Sequence, residues 1–336
     1  MRLPGFENVY VGHRTDQEAG TGVTVVVAPE GAVGAVDVAG GAPATRETDL
    51  LRPEETVDRV HAVVLSGGSA YGLAASTGVM EELERRGVGL DLGICRVPIV
   101  CGACLFDLAV GDPAVRPGAA MGAEACSEAI DGPGEAGLAQ GNVGAGTGCT
   151  VGKFLGPDLA MKGGLGWATA SAGPLTVTAV AAVNAVGSVV DPATGEPVAG
   201  ARVASDSDVQ VADPLATLCA GARMPLSVLG RTNTTISCVV ANARLTKAQA
   251  TKVAQMCSDG YARAIVPSHT TNDGDAVFVL AAGDVEVPVD LVGVLGQRVL
   301  AEAVASGCRH AHTAYGFPGS ADRGRGQGSG AAPARE

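Results

Sequence analysis

A chain of 336 residues accommodates two domains of ordinary size or one large layered α/β domain, and either leaves ample length to bury a core. Hydrophobic residues make up 46%, charged residues 17% and aromatics only 3%, so the core has to be assembled from closely packed Ala, Val, Leu and Gly. The formal charge of −12 argues against nucleic acid or an anionic membrane surface as a partner, because both are bound through clustered Lys and Arg; neutral or cationic small molecules fit better.

The opening MRLPGFENVYVGHRTD has no basic segment followed by an apolar run, and no apolar stretch stays free of Gly, Pro and charge for the thickness of a bilayer. The expectation is a soluble, cytoplasmic protein. Its nine cysteines (Cys95, Cys101, Cys104, Cys126, Cys149, Cys219, Cys238, Cys257, Cys308) are odd in number and scattered among apolar neighbours, which predicts buried free thiols.

In chain order, Gly22–Ala28 (GVTVVVA) reads as a strand, Pro29-Glu30-Gly31 as a turn, and Ala32–Val38 as the second arm of a hairpin. Arg59–Leu65 is a further strand, ended by Ser66-Gly67-Gly68-Ser69, after which Ala70–Arg86 has helical periodicity with an exposed Glu and Arg face. Gly141–Gly166 is dense in glycine, a composition suited to close backbone approach. Leu175–Val190 is strand-like and interrupted by Asn184, and Asp191–Pro214 reads as an exposed loop. Thr235–Ala241 (TISCVVA) is rich in β-branched residues and predicts a buried strand with Thr234 at its lip. A helix over Leu245–Val266 with Thr246 as its cap, a strand over Ala276–Ala282 and a last helix over Val289–Ser306 complete the pattern. The segment after Tyr315 lacks periodicity and reads as a disordered tail, 316–336.

Locally, GRTNTTISCVV is a polar turn meeting an apolar strand, a place where a rigid element can hold a hydroxyl exposed. An ordinary threonine-rich strand entry has the same appearance. Several motifs in one order carry more information: GVTVVV, SGGSAYGL at Ser66–Leu73, GNVGAGTG at Gly141–Gly148, MKGGLG at Met161–Gly166, Asn184, NTTI at Asn233–Ile236 and NDGDAVF at Asn272–Phe278. In that order the chain resembles the self-processing aminopeptidases, a family that includes D- and L-aminopeptidases, β-aminopeptidases and 6-aminohexanoate-oligomer (nylon oligomer) hydrolases. The Asn-Thr-Thr start with Asp273 and Asp275 is most similar to the nylon oligomer hydrolases, since the aminopeptidases typically carry Ser as nucleophile.

The resemblance implies a four-layer αββα sandwich, an α/β fold with two stacked mixed sheets of the N-terminal-nucleophile hydrolase kind. It implies one catalytic domain, 1–315, cut between Asn233 and Thr234 into fragments 1–233 and 234–336, and assembly as a homotetramer of processed protomers. Thr234 is then the nucleophile, its own α-amine serving as general base, because an α-amine titrates at about 7.7–8.0. No cofactor or metal is called for, and none of the five histidines sits in a nucleophile motif. By the same resemblance Lys162 and Asn184 face the nucleophile, Asn184 as an oxyanion donor. Asp273 and Asp275 project to one side of a strand entry and orient the ammonium and the hydroxyl, with the free amine of an oligomer substrate as a further ligand. Outside the resemblance, Lys162 reads as a solvated lysine in a glycine loop, Asn184 as a strand Asn bonded to backbone, and NDGD as an Asx turn. The aminopeptidases place a Tyr in the segment following Pro98; ICRVPIVCGACLFD has none.

Three other patterns fail on spacing. GNVGAGTGCTVGK ends with Lys153 followed by Phe154, where a phosphate loop needs Ser or Thr. Cys101 and Cys104 form a lone C-x-x-C without a second pair at zinc spacing. Ser66 and Ser69 lack the flanking glycines of a nucleophile elbow, leaving SGGSAYGL as a strand-to-helix turn that lines a cleft with Tyr71. The expected substrates are small amides or peptides. Hydrolysis of nylon oligomers, an aminopeptidase, an acyltransferase of the ornithine acetyltransferase kind and a non-enzymatic scaffold are the functions to separate.

Overall fold

A computed structural model describes residues 1–132, 138–207, 210, 213–221 and 233–323. Its strands are β1 (Tyr10–Asp16), β2 (Thr21–Val38), β3 (Thr45–Arg46), β4 (Arg59–Ser66), β5 (Leu90–Asp91), β6 (Arg96–Val97), β7 (Val100–Cys104), β8 (Thr150–Val151), β9 (Met161–Lys162), β10 (Leu165–Ala172), β11 (Leu175–Asn184), β12 (Ser188–Val190), β13 (Pro197–Ala199), β14 (Thr234–Ala243), β15 (Ile265–Val266) and β16 (Ala276–Val285). The α-helices are α1 (Ala75–Arg85), α2 (Ala119–Asp131), α3 (Pro214–Cys219), α4 (Lys247–Ala264) and α5 (Val289–Arg309).

The main sheet is one hydrogen-bonded path, β10-β11-β14-β16-β2-β4-β7-β3, with β1 on β2. It nevertheless makes two layers, because β2 serves both. Residues 21–27 of β2 pair with β1, and residues 33–38 with β16. The layer β10-β11-β14-β16 is covered outside by α4 and α5 through Val177, Ala179, Val239, Val277, Val253 and Val304. The layer β1-β2-β4-β7 is covered by α1 and α2 through Val23, Val25, Val64, Val79 and Ala125. Between the layers lie the alternate side chains of the same strands, among them Val26, Val63, Leu65, Val180, Ile236, Val240 and Phe278. The order helices, sheet, sheet, helices is the expected four-layer sandwich.

Four expectations change. The hairpin over residues 22–38 is a single strand: its pairing with β4 runs from Val23 opposite Ser66 to Val33 opposite Arg59, without reversal. Pro29-Glu30-Gly31 is absorbed as an irregularity between Val27 and Ala32, with Gly31 at φ 76°, so residues that read as a turn form a bulge. The hairpin partner of β2 is β1. The tail after Tyr315 is held down over residues 316–323: Pro318 O accepts from the Lys162 N–H at 2.9 Å, and Ser320 Oγ donates to Val198 O at 2.6 Å. The remainder, 324–336, lies outside the described residues, as do 208–209 and 211–212 of the loop expected over Asp191–Pro214. Within the described part of that loop Ala199, Ala201 and Arg202 are buried. Of the nine thiols, seven are buried as expected, whereas Cys95 and Cys219 are exposed.

Helix α4 starts as its sequence indicates, with a capping box in which Thr246 Oγ1 accepts from the Gln249 N–H and the Gln249 side chain accepts from the Thr246 N–H. Helix α5 is long and apolar enough by composition to cross a bilayer, but most of its apolar window is buried here, in the cluster it shares with β11, β14 and α4.

Candidate active site

Strand β14 runs between β11, to which it is antiparallel, and β16, to which it is parallel. Parallel neighbours begin at the same edge of a sheet, whereas an antiparallel neighbour ends there. The start of β14, the start of β16 and the end of β11 therefore meet. Thr234 is the first residue of β14 and lies opposite Asn184, the last of β11. On the other side Asn233 forms a parallel bridge with Asp273, in the turn that leads into β16.

Two donors converge on the carbonyl oxygen of Asn233. The Gly274 N–H donates at 2.9 Å, and the Thr234 hydroxyl donates at 2.5 Å. A side chain at position 274 would not fit: an added Cβ would stand 2.8 Å from Thr234 Oγ1 and 3.0 Å from Ala42 O. Thr234 is buried, at 4% exposure, so its hydroxyl is packed against the peptide bond rather than open to water.

The two aspartates on this turn have different partners. Asp273 Oδ2 accepts from Thr270 N–H and Oγ1 at 2.8 and 2.6 Å; burial, and then the negative charge of Asp275, raises its pKa above the ordinary carboxylate value. Asp275 Oδ1 accepts from the Thr235 N–H at 2.7 Å, which fixes the peptide after Thr234. Its Oδ2 accepts from the His269 N–H at 3.1 Å and stands 3.0 Å from His269 Nδ1. Burial pulls the His269 pKa down, but the bond to Asp275 and its charge outweigh that and leave it raised. His269 is thus a member of the site that the sequence reading did not single out. It lies four residues from Asp273 but has positive φ, 55°, in an irregular loop, and no periodicity announces such a position.

Asn184 is fully buried and tied on all sides. Its Oδ1 accepts from Lys153 Nζ at 2.9 Å and from the Thr150 N–H at 3.0 Å, and its Nδ2 donates to Phe106 O at 2.9 Å. Lys153 Nζ also donates to Asn184 O at 3.0 Å. Burial pushes the Lys153 pKa down to about 7, against the attraction of groups that include Asp273 and Asp275. In this geometry the donor presented to the Asn233 carbonyl is the Gly274 backbone, while Asn184 holds the lysine.

The structure thus brings together Asn184, Asn233, Thr234, Asp273 and Asp275, and adds Lys153, Gly274 and His269. Lys162 is placed differently. Its ammonium is buried and donates to Thr147 O and Cys149 O, both at 2.7 Å, lies 5.8 Å from the centre of the Tyr315 ring, and has its pKa lowered by burial to about 8. It ties the glycine-rich segment together, and the ammonium that reaches Asn184 is that of Lys153. In the sequence Lys153 is marked only as the lysine that closes GNVGAGTGCTVGK. Tyr71 is 62% exposed on a 3-10 turn and stacks under the Arg116 guanidinium at 4.0 Å, apart from the buried cluster.

Family, relatives and solved structures together make this four-layer chain, with a threonine heading a central strand beside two aspartates, an amide-bond hydrolase on the N-terminal-nucleophile hydrolase fold. The profile of peptidase family S58 matches residues 5–320, and the chain belongs to that family. It is 44% identical to an uncharacterized aminopeptidase of Mycobacterium leprae over 94% of this chain and 92% of the relative. It is 32% identical to a 6-aminohexanoate-oligomer endohydrolase of Kocuria sp. (strain KY2) over 84% of this chain and 75% of the relative. Among solved structures, the L-aminopeptidase D-Ala-esterase/amidase of Ochrobactrum anthropi, described as a variant of the N-terminal-nucleophile hydrolase fold, aligns with a TM-score of 0.65 at 20% identity. That alignment covers 91% of this chain and 85% of the other. A β-aminopeptidase of Burkholderia sp. gives the same TM-score and identity over 95% and 92%.

Proposed function

We propose that the chain cuts itself between Asn233 and Thr234 and then, with Thr234 as its new N-terminus, hydrolyses small linear amides, oligomers of 6-aminohexanoate being the first substrate class to test. The observation that carries this reading is the convergence of the Thr234 hydroxyl and the Gly274 N–H on one carbonyl oxygen, that of Asn233. Attack by Oγ1 on the Asn233 carbonyl carbon forms an ester, and the C–N bond breaks as the hydroxyl proton passes to the departing amine. Water then hydrolyses the ester. The Gly274 N–H stabilises the oxyanion of that step, a position where one donor is worth about 10²–10³ in rate. The released α-amine titrates at about 7.7–8.0 and takes the proton of its own hydroxyl in each later turnover. Lys153, with a pKa of about 7, supplies a second group that changes protonation near neutrality, held by Asn184. Asp275 fixes the Thr235 amide beside it.

An aminopeptidase acting on short peptides is the second reading, supported by the name of the 44% identical mycobacterial relative. The chemistry is shared, so rates on 6-aminohexanoate oligomers and on peptide anilides separate the two. Transfer of an acyl group to an added amine in preference to water would identify an acyltransferase. Assembly as a tetramer of processed protomers, which the family resemblance supports, is read by light scattering. The primary test is intact mass: two fragments meeting at Asn233 and Thr234, absent in Thr234→Ala, are expected, and an intact wild-type chain with full activity would reject the proposal.

A further inference from the structure

Asn184 lies opposite Thr234, and what it does for Lys153 depends on which way its carboxamide is turned. With Oδ1 on Lys153 Nζ and the Thr150 N–H, and Nδ2 on Phe106 O, each contact joins a donor to an acceptor. Turned over, the amide would set Nδ2 against two donors and Oδ1 against a carbonyl oxygen. The Phe106 carbonyl thus helps to keep Asn184 an acceptor for the lysine, and its own place depends on what holds residue 106.

The next residue, Asp107, is a buried carboxylate, 3% exposed, with two donors from different elements. Its Oδ1 accepts from the Gly68 N–H, in the turn after β4, and its Oδ2 from Thr21 Oγ1, at the start of β2, both at 2.7 Å. On the other side of Phe106, the Leu105 N–H donates to Ser66 O and the Ser69 N–H to Leu105 O, each at 2.8 Å. Residues 105–107 are therefore laced to the Ser66–Ser69 turn on both sides of the Phe106 carbonyl. Asp107 also packs against Gly148, where an added Cβ would stand 2.5 Å from its own Cβ. Gly148 is two residues before Thr150, so Asp107 touches both segments that grip Asn184. Burial raises its pKa above the ordinary carboxylate value, against the bonds from Thr21 and Gly68 and the charge of Lys162.

We propose that Asp107 is a positioning residue of the site: by fastening residues 105–107 to the SGGSAYGL turn it sets the Phe106 carbonyl, which turns the Asn184 carboxamide so that Oδ1 stays on Lys153. This role rests on the reading of Thr234 as nucleophile with Lys153 in its site. It also gives the turn at Ser66–Leu73 a task, since Gly68, at a left-handed φ of 82°, presents the N–H that holds Asp107.

The chain has four lysines, Lys153, Lys162, Lys247 and Lys252, so each ammonium can be titrated by NMR of isotope-labelled lysine in the uncut Thr234→Ala protein. The charges acting on Lys153 are those of Cys149, Asp273, Asp275 and Lys162, whereas Asp107 acts on Lys162. Asp107→Asn discards the charge but keeps both contacts, because the Thr21 hydroxyl can turn to accept; Asp107→Ala discards both. In Asp107→Ala the Lys153 midpoint is expected to fall by about one pH unit, the loss of one hydrogen bond to its charged form. In Asp107→Asn it is expected to stay near the parent value, while Lys162 falls in both. A merely structural role would lower Tm and leave Lys153 unmoved. An unmoved Lys153 in folded Asp107→Ala, or an equal fall in Asp107→Asn, would overturn the proposal. Where Asp107→Ala does not fold, Thr21→Val, which removes the donor to Oδ2, decides: a lowered Lys153 midpoint is expected, and an unchanged one overturns the proposal equally. Failure of the nucleophile assignment has a separate signature, continued cleavage of the Thr234→Ala chain.

Discussion

Gly274→Ala tests the arrangement at the Asn233 carbonyl, the proposed cleavage point, with one added methyl group. The substitution keeps the 274 N–H, and Gly274 is not among the positive-φ glycines, so backbone strain is not its mode of action. The new Cβ would stand 2.8 Å from Thr234 Oγ1 and 3.2 Å from Thr234 Cγ2, while Ala42 O at 3.0 Å blocks retreat on the other side. Contacts below 3.0 Å force a displacement, and the partner with freedom to move is the Thr234 side chain, whose hydroxyl then leaves the carbonyl it is proposed to attack. Overpacking of this kind costs about 1–3 kcal/mol of stability. Loss of alignment at the reacting atoms costs more in rate, about 10²-fold for a displacement near 1 Å. Processing is followed after cell-free synthesis by the appearance of fragments 1–233 and 234–336 on denaturing gels. A slowing of about 10²-fold with a Tm drop of a few degrees is expected. Cleavage at the wild-type rate would show that neither the Gly274 contact nor the hydroxyl position controls the reaction.

The two buried lysines separate site from scaffold. Lys153→Met should reduce processing and turnover by at least tenfold, since it removes the group held on Asn184. Lys162→Met should lower Tm, by removing the donor to Thr147 O and one of the two donors to Cys149 O, which keeps the Gly163 N–H, with a smaller effect on kcat in whatever protein folds. Reversed outcomes would restore Lys162 to the site. His269 predicts a pH dependence. Its folded pKa is raised above the ordinary histidine value, so the stability from its pair with Asp275 is fully present below about 6.5 and fades as pH rises through the higher folded value. In uncut Thr234→Ala protein, Tm should fall more steeply between pH 6 and 8.5 with His269 than with His269→Ala; parallel profiles would remove His269 from the coupling.

What the sequence made legible followed from periodicity and from motif order. Strand β14 was visible because TISCVV is β-branched and buried on both faces, as a strand between two sheet neighbours and two apolar layers must be. Thr234, at the lip of the strand read over Thr235–Ala241, is singled out by the order of motifs along the chain, and Asp273 and Asp275 by their alternate places before another strand. Pairings hidden in glycine-rich sequence were not legible. Lys153 reaches Asn184 because Thr150, on the two-residue strand β8, places its N–H on Asn184 Oδ1, a register that a run of small residues does not encode. The bulge in β2 was read as a turn because Pro-Glu-Gly satisfies turn chemistry equally well; only the shared partner β4 distinguishes the two.

The sheet order has a consequence for the proposed cut between Asn233 and Thr234. Strand β14 belongs to the second fragment and is ladder-paired with β11 of the first, and β16 of the second with β2 of the first. The fragments are therefore interleaved rather than joined end to end, and severing the chain releases a terminus without releasing a piece. Unfolding before the cut is a one-chain event that can be reversed in dilute solution. After it, refolding must reunite two polypeptides, one carrying seven strands of the main sheet and the other β14 and β16, so recovery depends on concentration. The proposed cut would thereby turn a reversible fold into one protected chiefly by the slowness of its opening.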